Sequence, residues 1–207
     1  MSELADPAEG LSAIVLAAGA SSRFGSAKQL VRVAGQPLLH TAVARASEVA
    51  GSAVTVVLGA NAGTLTPLLA HSSASVVINR DWREGMASSI RAGVSRLPAS
   101  CTAVLLMVVD QAAVTAEDLK RLLNAWRRQP EYIAAARYDS ITGVPAIFPR
   151  ATFGDLQSLR GDVGARVLLQ RNSDRVIRVP MPRAAIDIDT PEDLLELESE
   201  RSKSPFP

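Results

Sequence analysis

Ala13-Ile14-Val15-Leu16-Ala17 runs without a break into Ala18-Gly19-Ala20-Ser21-Ser22-Arg23-Phe24-Gly25-Ser26-Ala27-Lys28. An apolar, partly β-branched run that ends in a Gly- and Ser-rich loop reads as the opening of a βα unit. Glycine lets the backbone turn tightly, so that successive N–H groups face a common anion, and Arg23 and Lys28 set full positive charges beside them. A triphosphate fits such a loop. Spacing alone suits equally well an ordinary βα connection whose serines cap the next element.

Outward from this stretch, short apolar runs alternate with longer helical patterns. Strands are expected at 13–17, 53–58, 76–78, 103–109, 133–136, 144–148 and 176–179, with helices from near Pro37, at 62–70, 88–97, from Thr115, and at 152–159, 164–170 and 191–200. The run 103–109 is the most apolar and belongs at the sheet centre, with Asp110 just past its carboxyl end. Pro145 lies inside the 144–148 run, which suggests an edge strand or an irregular segment. The expected fold is a three-layer α/β/α, doubly wound, mostly parallel sheet of Rossmann-like type. One domain over 11–200 is expected, with residues 1–10 flexible and a polar, proline-bearing tail, flexible over 201–207 and starting to loosen near Ser199.

Hydrophobic residues make up 47% of the chain and aromatics 4%, so the core must be built from Ala, Val, Leu and Ile. Net charge is +1, which offers no broad field for a polyanion and argues against nucleic acid as a partner. Cys101 is the only cysteine, so an internal disulfide and a cysteine zinc cage are both excluded, in keeping with a cytoplasmic protein. No apolar run approaches the length of a membrane span, and no signal peptide is expected. His40, His71 and Cys101 have no sequence neighbours that would make them catalytic.

Two common phosphate motifs fail on spacing. A Walker loop needs a Gly directly before its Lys and a Ser or Thr after it, whereas Gly25 stands three positions from Lys28 and Gln29 comes next. A dinucleotide fingerprint needs G-x-G-x-x-G and an acidic residue ending the second strand, but the chain offers Gly19 and Gly25, then Gly59-Ala60-Asn61.

The stretch 16–28 resembles the L-x-A-G-x-S-x-R-x-G-x-x-K signature of the MobA-like nucleotidyltransferases that activate molybdenum cofactor. Three further segments resemble their cytidylyltransferase branch: Asn79-Arg80-Asp81-Trp82-Arg83-Glu84-Gly85-Met86-Ala87-Ser88-Ser89-Ile90-Arg91-Ala92-Gly93, Gly161-Asp162-Val163-Gly164-Ala165-Arg166, and Asp187-Ile188-Asp189-Thr190-Pro191-Glu192-Asp193-Leu194. The resemblance implies transfer of CMP from CTP, or of another nucleotide, to a phosphorylated pterin-type acceptor with release of pyrophosphate. It implies nucleotide contacts at Leu16, Ala17, Ala18, Gly19, Ser22, Arg23, Lys28, Gly85, Met86, Ser88 and Ser89, with Arg23, Lys28 and Asp110 catalytic. It implies Mg²⁺ on Asp110 and Asp189, with Asp187 second, and an acceptor side near Gly143, Pro145, Gly161, Asp162 and Arg166.

Each of these positions also has a plainer reading. Asp110 suits a turn before the Thr115 helix. Thr190, Pro191, Glu192 and Asp193 suit a helix start, which leaves the pair Asp187 and Asp189 unexplained, since residues two apart in an extended segment share a side. Gly85 to Ser89 suit a helix start built for close packing, and 161–166 a turn and cap. Ala18 stands where GTP-using relatives carry glycine, so its methyl group is expected to narrow the base pocket. Val109 and Ala112 stand where relatives carry a small residue and a proline, which predicts crowding at the nucleotide and a freer loop. The alternative function is a non-catalytic accessory protein that binds nucleotide or molybdenum cofactor for a molybdenum hydroxylase.

Overall fold

The computed structural model describes residues 10–21, 24, 25 and 27–203. Strand β1 (Leu11–Ala17) is buried along its whole length, and its two faces go to different layers. Ala13, Val15 and Ala17 join one apolar cluster, Ile14 and Leu16 the other. A strand covered on both faces reads as a continuous apolar run, which is why the period-2 alternation of a half-exposed strand is missing here.

The main sheet holds β4 (Val54–Leu58), β5 (Ser75–Ile78), β6 (Ala103–Val108), β7 (Ile133–Tyr138), β8 (Ile141–Pro149) and β9 (Val176–Pro180) beside β1, in the order β5-β4-β1-β6-β8-β7-β9. All pairings are parallel except those of β8 with β6 and β7. β6 is the middle strand, as its composition predicts. A small hairpin of β2 (Arg32–Val33) and β3 (Gln36–Pro37) stands apart. One face is covered by α1 (Leu38–Ala50), α2 (Ala62–Leu65), α4 (Ala116–Arg127) and α7 (Pro191–Lys203), the other by α3 (Met86–Val94), α5 (Phe153–Ser158) and α6 (Arg166–Arg171).

Small residues set the helix-to-sheet distance. α1 buries Ala42, Ala46 and Ala50 beside Leu38, Leu39 and Val43. On the other face a Cβ at Gly93 of α3 would stand 2.9 Å from Ile14 Cγ2, so only glycine lets the helix lie this close to β1. The large side chains then fill the gaps: Trp126 and Phe148 are 2% and 0% exposed. Each such side chain removed from water stabilises the fold by roughly 1.5–3 kcal/mol.

Several expectations need correction. Of the two readings of Pro145, the edge strand gives way to the irregular segment: β8 is an interior strand, and Pro145 falls where the β7–β8 register shifts, between Ala135 and Ala136, so that the ladder needs no donor from it. The helix expected at 62–70 is α2 followed by a 3₁₀ segment, Thr66–Leu69, with Pro67 in its first turn. α3 starts at Met86 rather than residue 88 and ends at Val94. α7 continues to Lys203, past the point where the tail was expected to loosen; 1–9 and 204–207 lie outside the described residues. Cys101 is buried, its thiol donating to the Ala103 carbonyl oxygen, and His40 Nε2 lies 2.8 Å from the Leu68 carbonyl oxygen, a structural contact. No helix among the described residues is long and apolar enough to cross a membrane.

Candidate active site

The loop after β1 is held from beneath by Gln29. Its side-chain amide Nε2 donates to the carbonyl oxygens of Ala17 and Gly19, both at 3.0 Å, and the residue is 1% exposed. The Ser21 hydroxyl donates to Gln29 Oε1 at 3.4 Å. A buried amide that uses its donors this way fixes where the loop backbone turns. Lys28 precedes Gln29 in a 3₁₀ turn (Lys28–Leu30) and is thereby directed across the carboxyl ends of the strands.

There Lys28 Nζ donates to Asp110 Oδ2 at 2.7 Å and to Asp189 Oδ1 at 2.9 Å. Burial opposes the ammonium charge, but the charge and hydrogen bond of Asp110, then those of Asp189, outweigh it and raise the Lys28 pKa above its ordinary value. Asp110 follows β6 after one intervening residue, Val109. Its own carbonyl oxygen accepts from the Ile188 N–H at 3.0 Å, which ties the 186–189 segment to the end of that strand. Beyond it, Asp193 Oδ2 accepts from the N–H groups of Asp189 and Thr190, at 2.9 and 2.7 Å, in the cap of α7.

A cleft of about 490 Å³ opens over this cluster, between the Ala17–Ala20 backbone on one side and Trp82, Gly85 and Ser89 on the other. Asn79 organises the second wall: its Nδ2 donates to Ser88 Oγ at 2.8 Å and Ser89 Oγ at 3.0 Å. Ser88 Oγ in turn donates to the Gly85 carbonyl oxygen at 2.8 Å. Ser88 is therefore committed to the helix start and does not line the cleft, whereas Ser89, also expected to contact nucleotide, does line it. Gly85 has φ of 112°, and a Cβ on it would stand 2.6 Å from Asp162 Cα. Asp162 Oδ1 accepts from the Met86 N–H at 3.3 Å, and the Gly161 carbonyl oxygen from the Ala87 N–H at 3.2 Å. Gly161 and Asp162, expected on the acceptor side, thus close over the start of α3, and Asp162 lines the 490 Å³ cleft.

A second hollow, about 340 Å³, adjoins the first and shares Leu16, Met86 and Val108 with it. Gly143 and Arg166 line it, whereas Pro145 is buried and lines neither hollow. Asp187 lines it too, apart from Asp189. Ile188 between them is 0% exposed, whereas neither Asp187 nor Asp189 is buried. Burial, then repulsion from Asp110 and Asp189, pushes the Asp187 carboxyl up to about 6, although one side of the residue stays open to solvent. The Tyr138 ring lies on Gly143, where a Cβ would stand 2.5 Å from its hydroxyl oxygen. Burial and the Asp187 charge raise the Tyr138 pKa, and Arg166 acts in the opposite sense. A larger concavity, about 830 Å³, lies along β5 between Arg80 and Arg96 but contains none of the predicted residues.

The oxygens present suit a hard cation. Asp110 Oδ1 is buried without a hydrogen-bond partner, while Oδ2 already faces the positive charge of Lys28. Among the described residues no group of three or more His, Cys, Asp and Glu gathers with metal-holding spacing. Mg²⁺ usually takes only one or two carboxylates and completes its shell with phosphate oxygens and water, so Asp110 and Asp189 fit that ion.

Of the remaining predicted residues, Leu16, Ala17, Ala18, Gly19 and Met86 line the cleft, and Ser22 and Arg23 lie outside the described residues. Ala18 is 6% exposed, packed where a Cβ at Gly59 would stand 2.9 Å from its methyl carbon. Val109 lines the cleft yet is 5% exposed and packs into the core. Ala112 does not free its loop: its N–H donates to the Asp110 carbonyl oxygen at 2.8 Å, and its own carbonyl accepts from Arg45 at 2.9 Å. Gln29, Asn79, Trp82 and Tyr138 were not singled out by the sequence. The position of Gln29 next to Lys28, and of Asn79 and Trp82 within the 79–93 segment, pointed toward three of them.

Comparison with known proteins agrees with this geometry. The MobA-like NTP transferase domain matches residues 13–176. Nicotine blue oxidoreductase of Paenarthrobacter nicotinovorans is 30% identical over 195 residues, covering 89% of this chain and 94% of that protein. The crystal structure of Rv0371c from Mycobacterium tuberculosis H37Rv superposes with a TM-score of 0.80 at 28% identity, covering 92% of this chain and 97% of that one. A structure of Rv0371C in complex with manganese gives 0.77 at 27% identity, with 92% and 98% covered. With its loop, cleft and matched length taken together, the chain belongs to the MobA-like NTP transferase family and is a nucleotidyltransferase.

Proposed function

We propose that the chain transfers CMP from CTP to a phosphorylated acceptor of the molybdopterin type, with Mg²⁺ and with release of pyrophosphate. The observation that carries this reading is the bridge of Lys28 to both Asp110 and Asp189 at the mouth of the Gly19 loop. The reaction is an in-line displacement: an acceptor phosphate oxygen forms a bond to the α-phosphorus of CTP, and the bond to the pyrophosphate oxygen breaks. Proteins lower such a barrier by position and charge. A bound Mg²⁺ would supply neutralisation of the phosphate oxygens, held by Asp110 and Asp189.

Lys28 holds the place between these carboxylates, and its flexible stem lets the ammonium pass to the phosphates of an arriving nucleotide, where Arg23 is proposed to join it. Gln29 keeps the loop N–H groups turned toward the same space. The Ala18 methyl group on the cleft wall favours a pyrimidine over a purine. The manganese bound by Rv0371C supports a divalent-ion requirement without fixing the ion.

A pyrophosphate-release assay of the four nucleoside triphosphates, with Mg²⁺ and molybdopterin, tests the proposal. CTP is expected to give turnover that the others do not match. Release from none of the four would refute transfer. The oxidoreductase name of the Paenarthrobacter relative favours a second reading, a protein that binds nucleotide or cofactor in this cleft without transferring it. Under that reading CTP and Mg²⁺ together raise the melting temperature, and no pyrophosphate appears.

A further inference from the structure

The main sheet ends in two strands that each have a single neighbour, β5 beside β4 and β9 beside β7. Such an edge offers unpaired N–H and C=O groups to another chain, and proteins blunt it with charge, proline or a bulge. β9 is blunted, by Arg178 within it and Pro180 at its end. β5 reads Ser75-Val76-Val77-Ile78, with neither charge nor proline, and pairs with β4 without a register shift. Ile78 is 56% exposed. The unprotected edge is also the one along which the 830 Å³ concavity lies.

Ser12, Thr55 and Ser75 line that concavity, and its charged lining residues are two arginines, Arg80 and Arg96, with no acid among them. Arg80 follows β5 after one intervening residue, Asn79. α3 is the crossover from β5 to β6 in the parallel part of the sheet and runs back against the strands. Arg96, two residues past its end, therefore lies toward the amino ends of the strands, and the two guanidinium groups flank β5 at opposite ends. Both are exposed, and among the described residues neither forms an ion pair. An occupant that meets both must be extended and negatively charged. At about 3.3 Å per residue, acidic side chains about five positions apart span the strand.

We propose that β5 takes up an extended acidic peptide segment of a partner protein as an added strand, its backbone on the β5 edge and its acidic side chains on Arg80 and Arg96. Alternate side chains of that strand fall on the face that carries the concavity, and Ile78 supplies an apolar contact. The concavity shares no lining residue with the 490 Å³ cleft or the 340 Å³ hollow, so the docked segment leaves both open.

The test uses the full chain and fluorescein-labelled peptides followed by anisotropy, with amide NMR shifts to place them. The probe is Glu-Val-Thr-Val-Thr-Glu. Lys-Val-Thr-Val-Thr-Lys reverses the charge, and an acidic copy N-methylated at its valines and threonines keeps the charge without those backbone donors. The acidic probe is expected to bind at least about tenfold more tightly than either control and to shift the amides of 75–78. Arg80→Glu and Arg96→Glu are each expected to weaken it at least about threefold at an unchanged melting temperature, and added salt to weaken it further.

Absent binding at millimolar probe overturns the inference, as does equal binding of the acidic probe and either control. Amide shifts confined to residues away from β5 do the same. A wild type that sediments as a dimer, and as a monomer once Ile78→Arg is introduced, gives the edge to a second copy of the chain and likewise overturns it.

Discussion

Lys28 Nζ and Asp110 Oδ2 stand 2.7 Å apart across 82 positions of sequence, one on the loop after the first strand, the other at the end of the central strand. Two segments that bring opposite charges together at the same strand ends mark which end of the sheet carries the chemistry. Removing the cation acts on both sides of the pair. Lys28→Ala takes a positive charge from the phosphates and leaves Asp110 and Asp189 facing each other. Turnover in the pyrophosphate assay is expected to fall by roughly two to three orders of magnitude. Near-normal turnover would show that Lys28 does not touch the reacting phosphates.

Gln29 sits deeper, and its loss is expected to register as both stability and function. Gln29→Leu is close in size but leaves the Ala17 and Gly19 carbonyl oxygens without their side-chain donor, a cost of about 1–3 kcal/mol. Calorimetry should show a lower melting temperature, and the nucleotide KM should rise with the loosened loop. An unchanged melting temperature would mean that water replaces the amide without cost.

Gly85 lies where the nucleotide wall and the 161–162 strap meet. Alanine there is strained at φ of 112° and drives its methyl group to 2.6 Å from Asp162 Cα. Gly85→Ala is expected to cost about 1–3 kcal/mol and to open the strap. The nucleotide KM should rise more than about tenfold while a core variant of equal stability leaves it unchanged. Equal KM values for Gly85→Ala and wild type would disconnect the strap from the cleft.

Asp118 supplies a pH test of stability outside the site. It closes the capping box of α4 with Thr115 and meets Arg121 and Arg183, its side chain 1% exposed. Burial would raise its pKa, but hydrogen bonds from the Thr115 backbone and hydroxyl, then Arg121 and Arg183, hold it below the ordinary 3.8. A depressed carboxyl pKa stabilises the fold above the unfolded value, and that contribution is lost as pH falls through the folded one. The stability gap between wild type and Asp118→Asn should therefore be constant from about pH 7 down to about 4 and shrink below it. A gap that stays the same below about pH 4 would contradict the assignment.

The fold was legible wherever a segment was buried on two sides. β1 and β6 announce themselves as continuous apolar runs because helices cover both faces of the sheet, and Thr115 marks the α4 start by local chemistry that needs no neighbour. Pro145 left edge strand and irregular segment both open, because a proline reports a missing donor and not where in the sheet that donor is dispensable. In the site, Lys28, Asp110 and Asp189 could be named, but their meeting depends on the 186–189 chain being tied to the end of β6, which spacing does not encode. Ser88 and Asp162 were assigned to ligands by resemblance, which does not show what a hydroxyl or a carboxylate already holds. Asn79 and the Met86 N–H occupy them, and both are contacts made by folding.

Leu16, Met86 and Val108 stand at the ridge between the two hollows and present only carbon and sulfur side-chain atoms to it. A water molecule on that ridge finds no side chain to anchor it, so the solvent nucleophile is poorly held at the one place where contents of the two chambers can meet. Under the proposed function, that ridge would protect a triphosphate in the larger hollow from wasteful hydrolysis until the acceptor comes to the smaller one.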